Sequence, residues 1–425
     1  MAASRPPHSS DTRFDAIIVG GGMVGLSAAI ALDLAGARVA LIDRADPAAV
    51  TDTGFDGRAS ALAFATVRML ETLDIWPHMA DQAQPILGIR VSDGALHRGV
   101  SPLHLHFDHE ELNDGPLGQM VENRHIRLGL FAALENHPRI AHFAPASVTA
   151  LARDDSGAHA TLTDAGGNTH HLTGQLLIGA DGRNSMVRDH AGIPSRGWSY
   201  RQSGIVCAIE TQESHVGIAH EKFLPGGPFA ILPLRGNRAS LVWTEKSRLV
   251  DTIMNLDDAA FTDEVARRVG DFLGEVRVVG GRWSWPLGLH WAERYTDHRL
   301  ALVGDAAHGI HPIAGQGLNM GLRDVAALAD MVAHRLYAGL DMGTADATAD
   351  YEARRRFDNV TLAAVTDGLN RLFSNDLPPI RLARDMGLAA VNRIPKLKRF
   401  FMAHARGTVG TLPALLQGLP AGRAD

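Results

Sequence analysis

The run from Leu300 to Gly321, LALVGDAAHGIHPIAGQGLNMG, gathers an acid, histidines and glycines into one short stretch. Asp305, directly after Gly304, offers a carboxylate to sugar hydroxyls. Pro312, Gly315, Gln316, Gly317, Leu318 and Asn319 follow, where a loop gives way to an apolar-periodic segment. A helix starting there leaves its first backbone N–H groups without partners, so they favour an anion or an electron-rich ring. Sugar hydroxyls and such a ring together suit a flavin. Near the other end, Gly20, Gly22 and Gly25 enclose Met23 and Val24 in the spacing Gly-x-Gly-x-x-Gly, and the next apolar run ends at Asp43 and Arg44. Two glycines let backbone approach a pyrophosphate, the third allows close helix–strand packing, and the acid accepts from a ribose hydroxyl. Asp181-Gly182 repeats the acidic turn after a third apolar run.

These groups need elements to carry them. Ile17 to Val19 predicts a strand, the small and apolar residues through Leu34 a helix, and Val39 to Ile42 a second strand. After a polar stretch from Thr51 to Gly57, Arg58 opens what reads as a helical pattern through Leu62, Phe64, Val67, Leu70 and Leu73. An arginine there either pairs with phosphate as a fork or is simply solvated. From Gly88 to Leu117 the pattern is irregular and carries His97, His104, His106 and His109. The alternation of His104 and His106 reads as the polar face of a strand, and no metal site is expected. Val121 to Leu134 predicts a strand end followed by an amphipathic helix, Val148 to Leu172 alternates, and Leu176 to Gly179 is a buried strand. From about Ala191 to Trp291 short alternating runs predict a mostly antiparallel sheet with one helical interruption, Thr262 to Phe272. Helices follow from Leu318 towards Tyr337 and from Ala347 to about Leu372. The tail mixes apolar residues with Arg384, Arg393, Lys396, Lys398, Arg399 and Arg406, which reads as a helical cap on the body and secondarily as a basic surface for an anionic membrane.

A chain of 425 residues with net charge -6 has room for two domains and no basic footprint for nucleic acid. One cysteine, Cys207, rules out an internal disulfide and a cysteine-built zinc or iron–sulfur site. Residues 1–13 lack the apolar core of a secretory signal, and no run is long and apolar enough to span a bilayer. The expected location is cytoplasmic, at most peripheral at the inner face of a membrane. The expected fold class is α/β, a Rossmann-like FAD-binding domain (14–87, 118–190 and 296–345) interleaved with a mostly antiparallel β-sheet substrate domain (88–117 and 191–295), plus a C-terminal helical region (346–425).

Together with the three acidic and glycine motifs, the runs Asp56-Gly57-Arg58-Ala59, Val121-Glu122-Asn123, Gly179 to Arg188, Phe223-Leu224-Pro225, His311 to Asp324 and Tyr351 to Phe357 give the chain a family look. It resembles the single-component FAD-dependent aromatic hydroxylases of the para-hydroxybenzoate hydroxylase fold, and among them the ubiquinone-biosynthesis hydroxylases. The resemblance implies that Gly20, Gly22 and Gly25 face the FAD pyrophosphate and Asp43 the adenosine ribose. Arg58 would sit near the phosphates and ribityl chain, Asn123 where relatives often carry Arg or Gln against the flavin, and Asp305 at the ribityl hydroxyls. Pro312 and Gly315 to Asn319 would line the isoalloxazine, and Asp181 with Gly182 belongs to a motif used for both FAD and NAD(P)H. The implied activity is a monooxygenase that uses NAD(P)H and dioxygen to hydroxylate a prenylated phenol or quinone precursor, in company with a membrane surface and other ubiquinone-biosynthesis proteins. Rival readings are a flavin oxidoreductase without oxygen insertion, of the isoprenoid-reductase type, and a non-catalytic flavin-binding partner. Trp283-Ser284-Trp285-Pro286 only faintly matches a flavin-halogenase signature. No catalytic residue stands out: His311 is a candidate base, with turn-fixing as its plainer role.

Overall fold

Short runs without a polar side chain suit strands covered on both faces. In the computed structural model, which describes residues 13–51, 54, 57–95, 99–100, 104–112, 114–310, 315–373, 387 and 390–423, Ala16–Val19, Val39–Ile42 and Leu176–Gly179 are such strands, buried at every position. They lie within a sheet ordered Thr296–Asp297, Leu300–Leu302, Leu176–Gly179, Ala16–Val19, Val39–Ile42, Ile140–Phe143. All neighbours are parallel except the first pair. The helices Met23–Leu34 and Gln316–Tyr337 pack on each other against this sheet. Their close approach is set by missing side chains: a Cβ on Gly321 would lie 2.7 Å from the Val24 side chain, and one on Gly25 would overlap the Gly20 carbonyl oxygen.

A second, nine-stranded sheet is antiparallel apart from the pairing of Ile218–Leu224 with Gly88–Ala95. Its longest members, Ser195–Thr211 and Val276–Ala292, run side by side for most of their length. The helices Ser247–Met254 and Asp258–Val269 cover its outer face, where Phe229, Trp243, Phe261 and Val265 form a separate core. The inner face carries Ala219, Phe223 and Leu234 and meets Ala59, Ala61 and Met120 of a small sheet, together with Met402 of the helix Pro395–Ala405. The inner face of the nine-stranded sheet is therefore turned towards the small sheet and the C-terminal cap. The C-terminal helices are present as a cap: Lys398 pairs with Glu111, Arg406 with Asp114, and the Arg406 guanidinium lies 3.8 Å from the Phe64 ring centroid. Among the described residues no helix is long and apolar enough to cross a membrane.

Three local expectations change. Residues 58–63 do not begin a helix: Ala59–Ala63 is a strand paired with Gly118–Glu122, and the helix is Phe64–Thr72. Pairing with a distant strand overrides the helix preference of alanine. The sheet region expected to carry one helix, at 262–272, carries two: Ser247–Met254 and, near the expected place, Asp258–Val269. Asp257 accepts from the Ala260 N–H at 2.8 Å and starts the second, which Gly270 ends. Of the four histidines, only His106 lies in the strand Leu105–Asp108; His104 precedes it, His109 opens a 3-10 turn, and His97 lies outside the described residues. Among the described residues no cluster of three metal-ligating side chains occurs.

The overlap at Gly25 gives a direct check. Gly25→Ala is expected to destabilise the protein by about 3 kcal/mol, read by urea denaturation, and to abolish FAD retention on purification.

Candidate functional site

The helix Met23–Leu34 starts at Gly22, which lies in extended conformation and supplies no side-chain cap. A Cβ on Gly22 would have no atom within 4 Å, so open space lies in front of the first-turn N–H groups. Met23 and Val24 form that first turn, with Val24 packed beneath Gly304. Asp43 accepts from the Gly21 N–H through one carboxylate oxygen and from the Ala45 N–H at 2.6 Å through the other. Each oxygen keeps a lone pair for a sugar hydroxyl. Arg44, next to it, is exposed.

The second half of the site starts where Leu300–Leu302 ends. Gly304, at φ +58, turns the chain. Asp305 is then exposed, and its carboxylate makes no hydrogen bond or ion pair among the described residues. The helix Gln316–Tyr337 starts at Gly315, in left-handed conformation at φ +61, again without a side-chain cap. A Cβ there would come within 3.1 Å of Ala61, whereas one on Gly317 would meet nothing. Gln316 and Leu318 are partly buried in the same turn. Elsewhere this protein does cap helices with side chains: Ser185 accepts from the Arg188 N–H at 3.0 Å, and Asp257 acts as described. Open N-termini at Gly22 and Gly315, with acids beside them, fit a dinucleotide carrying sugar hydroxyls and an electron-rich ring.

Several expected contact residues instead hold the frame. Asn319 is buried and uses its whole amide: Oδ1 accepts from the Ala63 N–H at 2.9 Å and the Thr66 hydroxyl at 2.8 Å, while Nδ2 donates to the carbonyls of Ala61 at 2.8 Å and Gly315 at 3.2 Å. Its side chain ties the Gly315 turn to the strand Ala59–Ala63. Asp181 accepts from the Ser185 hydroxyl at 2.5 Å and the Val187 N–H at 3.1 Å, so its carboxylate organises the helix Met186–His190 while Gly182 stands open beside it. Arg188 donates to the carbonyls of Arg183 at 3.0 Å and Ala306 at 3.2 Å, fastening the two acidic turns together. Asn123 opens the helix Asn123–Leu134; it donates from its N–H to the Arg58 carbonyl at 2.9 Å and accepts from the Ser60 hydroxyl at 2.7 Å. The Arg58 guanidinium lies 5.8 Å from the Trp285 ring centroid. His311 and Pro312 lie outside the described residues.

Sequence reasoning missed the group that holds the Gly304 turn. Asp324, fully buried, accepts from the Gly304 N–H at 3.0 Å, His308 Nε2 at 2.6 Å, Arg355 Nε at 2.8 Å and Asn359 Nδ2 at 3.1 Å. Burial alone would raise its carboxyl, but His308 and Arg355 outweigh that and hold it well below the usual carboxylate range. The available signal was an acid among Leu322, Val325 and Leu328, on the face of the helix that should be apolar.

Comparison with known proteins agrees with this geometry. The family described as FAD binding domain matches residues 13–359. Ubiquinone hydroxylase UbiL of Rhodospirillum rubrum is 50% identical over 99% of this chain and 98% of its own length. The 3-demethoxyubiquinol 3-hydroxylase of Escherichia coli is 37% identical over 92% of this chain and 97% of its own. Among solved structures, the p-nitrophenol 4-monooxygenase PnpA of Pseudomonas putida superposes with a TM-score of 0.77 at 18% identity, covering 95% of this chain and 100% of that one, and so shares the fold.

The two acids of the turn should separate cleanly on mutation. Asp305→Ala is expected to leave the apoprotein melting temperature unchanged while weakening FAD binding roughly ten- to a hundredfold. Asp324→Ala should destabilise the protein by about 3–5 kcal/mol, because it strands Arg355 in the interior. Since the folded-state value of Asp324 is depressed, its contribution is present above the ordinary carboxylate value of about 4 and lost only as pH falls below it. Thermal melts from pH 3 to 8 and FAD fluorescence titration read both.

Proposed function

The chain belongs to the FAD binding domain family, as an FAD-dependent aromatic-ring monooxygenase, and from that premise we propose that it hydroxylates a prenylated phenol or quinone precursor of ubiquinone biosynthesis, with NAD(P)H as reductant. The observation that carries the substrate class is the apolar inner face of the nine-stranded sheet, opposite the uncapped Gly315 helix. Val242 pairs with Val206 and Ala230, and Val206 with Trp283, so this cross-strand row is apolar from Ala230 to Trp283, with one acid, Glu221, beyond Ala230. FAD, once bound, supplies the electron transfer and the activation of dioxygen.

The chain's own residues bind, orient and exclude water. Gly20, Gly22, Met23, Val24 and Gly25 form the pyrophosphate turn, Asp43 and Arg44 the ribose end, and Gly304 with Asp305 the ribityl end. Gly315 to Leu318 present N–H groups to the ring, favouring negative charge on it. Asn319, Asn123, Asp181 and Gly182 hold these pieces in register, and Arg58 stacked on Trp285 closes the side. Val206, Val242 and Trp283 keep water from the reacting centre. In this reading 14–87, 118–190 and 296–345 form the cofactor domain, 88–117 and 191–295 the substrate domain, and 346–425 the cap. Ile394, Phe400 and Phe401 are exposed beside Lys396 and Arg399, which supports peripheral contact with the inner face of a membrane and delivery of a tailed substrate from it, with the protein otherwise cytoplasmic. That setting would also bring it near other ubiquinone-biosynthesis proteins.

Purified protein is expected to be yellow and to oxidise NAD(P)H faster when a prenylated phenol is added. One atom of isotopically labelled dioxygen should appear in the product by mass spectrometry. Stimulated NAD(P)H oxidation with no label in the ring would overturn the hydroxylase reading, and equal rates with short water-soluble phenols would overturn the prenylated substrate alone.

A further inference from the structure

The strand Ile218–Leu224 alternates between two buried faces. Lys222 points outward, where its ammonium donates to the carbonyls of Val269 at 2.5 Å and Arg268 at 3.2 Å. Ala219 and Phe223 point inward into the cluster shared with Ala59, Ala61 and Met120. The period of two therefore sets Glu221, between them, on the inner face. Its cross-strand neighbours are Val91 and Ala230, and the row runs on through Val242 and Val206 to Trp283. Glu221 is thus the one acid in the row proposed above as the substrate wall. Among the described residues its carboxyl makes no hydrogen bond or ion pair, and the residue is partly accessible on that inner face.

An unpaired carboxyl in apolar surroundings costs stability and has no structural duty to offset that cost. We propose that Glu221 is the catalytic residue that exchanges the proton of the substrate's ring hydroxyl, an inference that rests on the hydroxylase reading. The phenol O–H bond breaks, its proton passes to a Glu221 carboxylate oxygen, and the electron pair stays on the phenol oxygen, where the ring shares it. Once the new carbon–oxygen bond has formed, the ring carbon loses its proton to solvent and Glu221 returns its own to the carbonyl oxygen, restoring the aromatic hydroxyl. NAD(P)H and dioxygen supply the electrons and the oxygen atom.

Burial pushes the Glu221 carboxyl up to about 8, close to a phenol near 10. Among the described residues, other ionisable groups stand on the packed elements. Asp93 lies further along the neighbouring strand, Arg238 is paired with Glu122, and Asp358 with Arg323 and Arg355. Asp367 lies in the helix Ala345–Phe373, which packs on Gly227–Leu234. On the outer face stand Arg90, His106, His220 and Lys222. Burial is the only cause of the rise.

The test uses the FAD-loaded full chain and its Glu221→Gln and Glu221→Asp variants, with a phenol that the unaltered protein hydroxylates. Product formation by the unaltered protein should rise through an apparent pKa near 8, the value burial gives Glu221. Glu221→Gln should lose that limb and about a hundredfold in rate, release peroxide instead of product, and keep its rate of flavin reduction. Glu221→Asp should keep the limb at reduced rate. Because the folded-state value is raised, Glu221 should cost stability increasingly as pH rises from about 5 to about 8. The melting temperature of Glu221→Gln should therefore exceed that of the unaltered protein by a margin that grows across that window and then levels off. An unchanged pH profile and product yield in Glu221→Gln overturns the inference and leaves the hydroxylase reading standing, as does loss of FAD or of fold, which makes the carboxyl structural. If the unaltered protein puts no labelled oxygen into any phenol, both fall.

Discussion

The carboxylate of Asp324 is the fixed point of this molecule. Taking a charge wholly out of water is tolerable only when every lone pair is answered, and here four donors from two stretches of chain answer it. One is the backbone of Gly304, so the turn that carries Asp305 is pinned to the middle of the helix Gln316–Tyr337. Another is Arg355, which also binds Asp358 and Asn359; Arg323, sharing Asp358, reaches the carbonyl of Gly407. The Tyr351 hydroxyl adds a bond to the Leu302 carbonyl at 2.7 Å. The strand Leu300–Leu302, the turn, two helices and the C-terminal cap are therefore one hydrogen-bonded unit, from which the exposed Asp305 projects.

Helix starts differ in how they are finished. At Ser185 and Asp257 a side chain satisfies a first-turn N–H, whereas Phe64–Thr72 and Ser247–Met254 start without one. At Gly22 and Gly315 no side chain does so among the described residues, and a Cβ on Gly22 or Gly317 would meet nothing. Asn319 lies one turn into the second of these helices and spends its entire amide on keeping that opening aligned with Ala61 and Ala63. Rigid polar support behind, unsatisfied backbone in front, is how a protein aims partial charge at a ligand without moving.

How much of this was legible in the sequence depended on range. Gly20 to Gly25, the strands around Ile18 and Ile178, and the Gly304-Asp305 turn are local patterns, and the sheet has them where the pattern placed them. Ala59–Ala63 misled because its partner, Gly118–Glu122, lies far along the chain and alanine alone favours helix. The helix Ser247–Met254 was lost inside a region of alternating strands. Asp324 stands on the apolar face of its helix, but its partners are not visible until Arg355 and His308 are seen to meet it. Glu221 carries no local signal, because distant segments decide that both faces of its sheet are covered.

The order of strands in the parallel sheet bears on how the chain comes into being. Ala16–Val19 leaves the ribosome early, yet its inner neighbour, Leu176–Gly179, and that strand's own partner, Leu300–Leu302, are made much later. Throughout the synthesis of the intervening segment the nascent unit carries an unpaired strand edge, the kind of surface that chaperones shield and that otherwise aggregates. The Ala61 and Ala63 backbone waits longer still, for Asn319. Coenzyme capture is in consequence a late event in the life of the polypeptide.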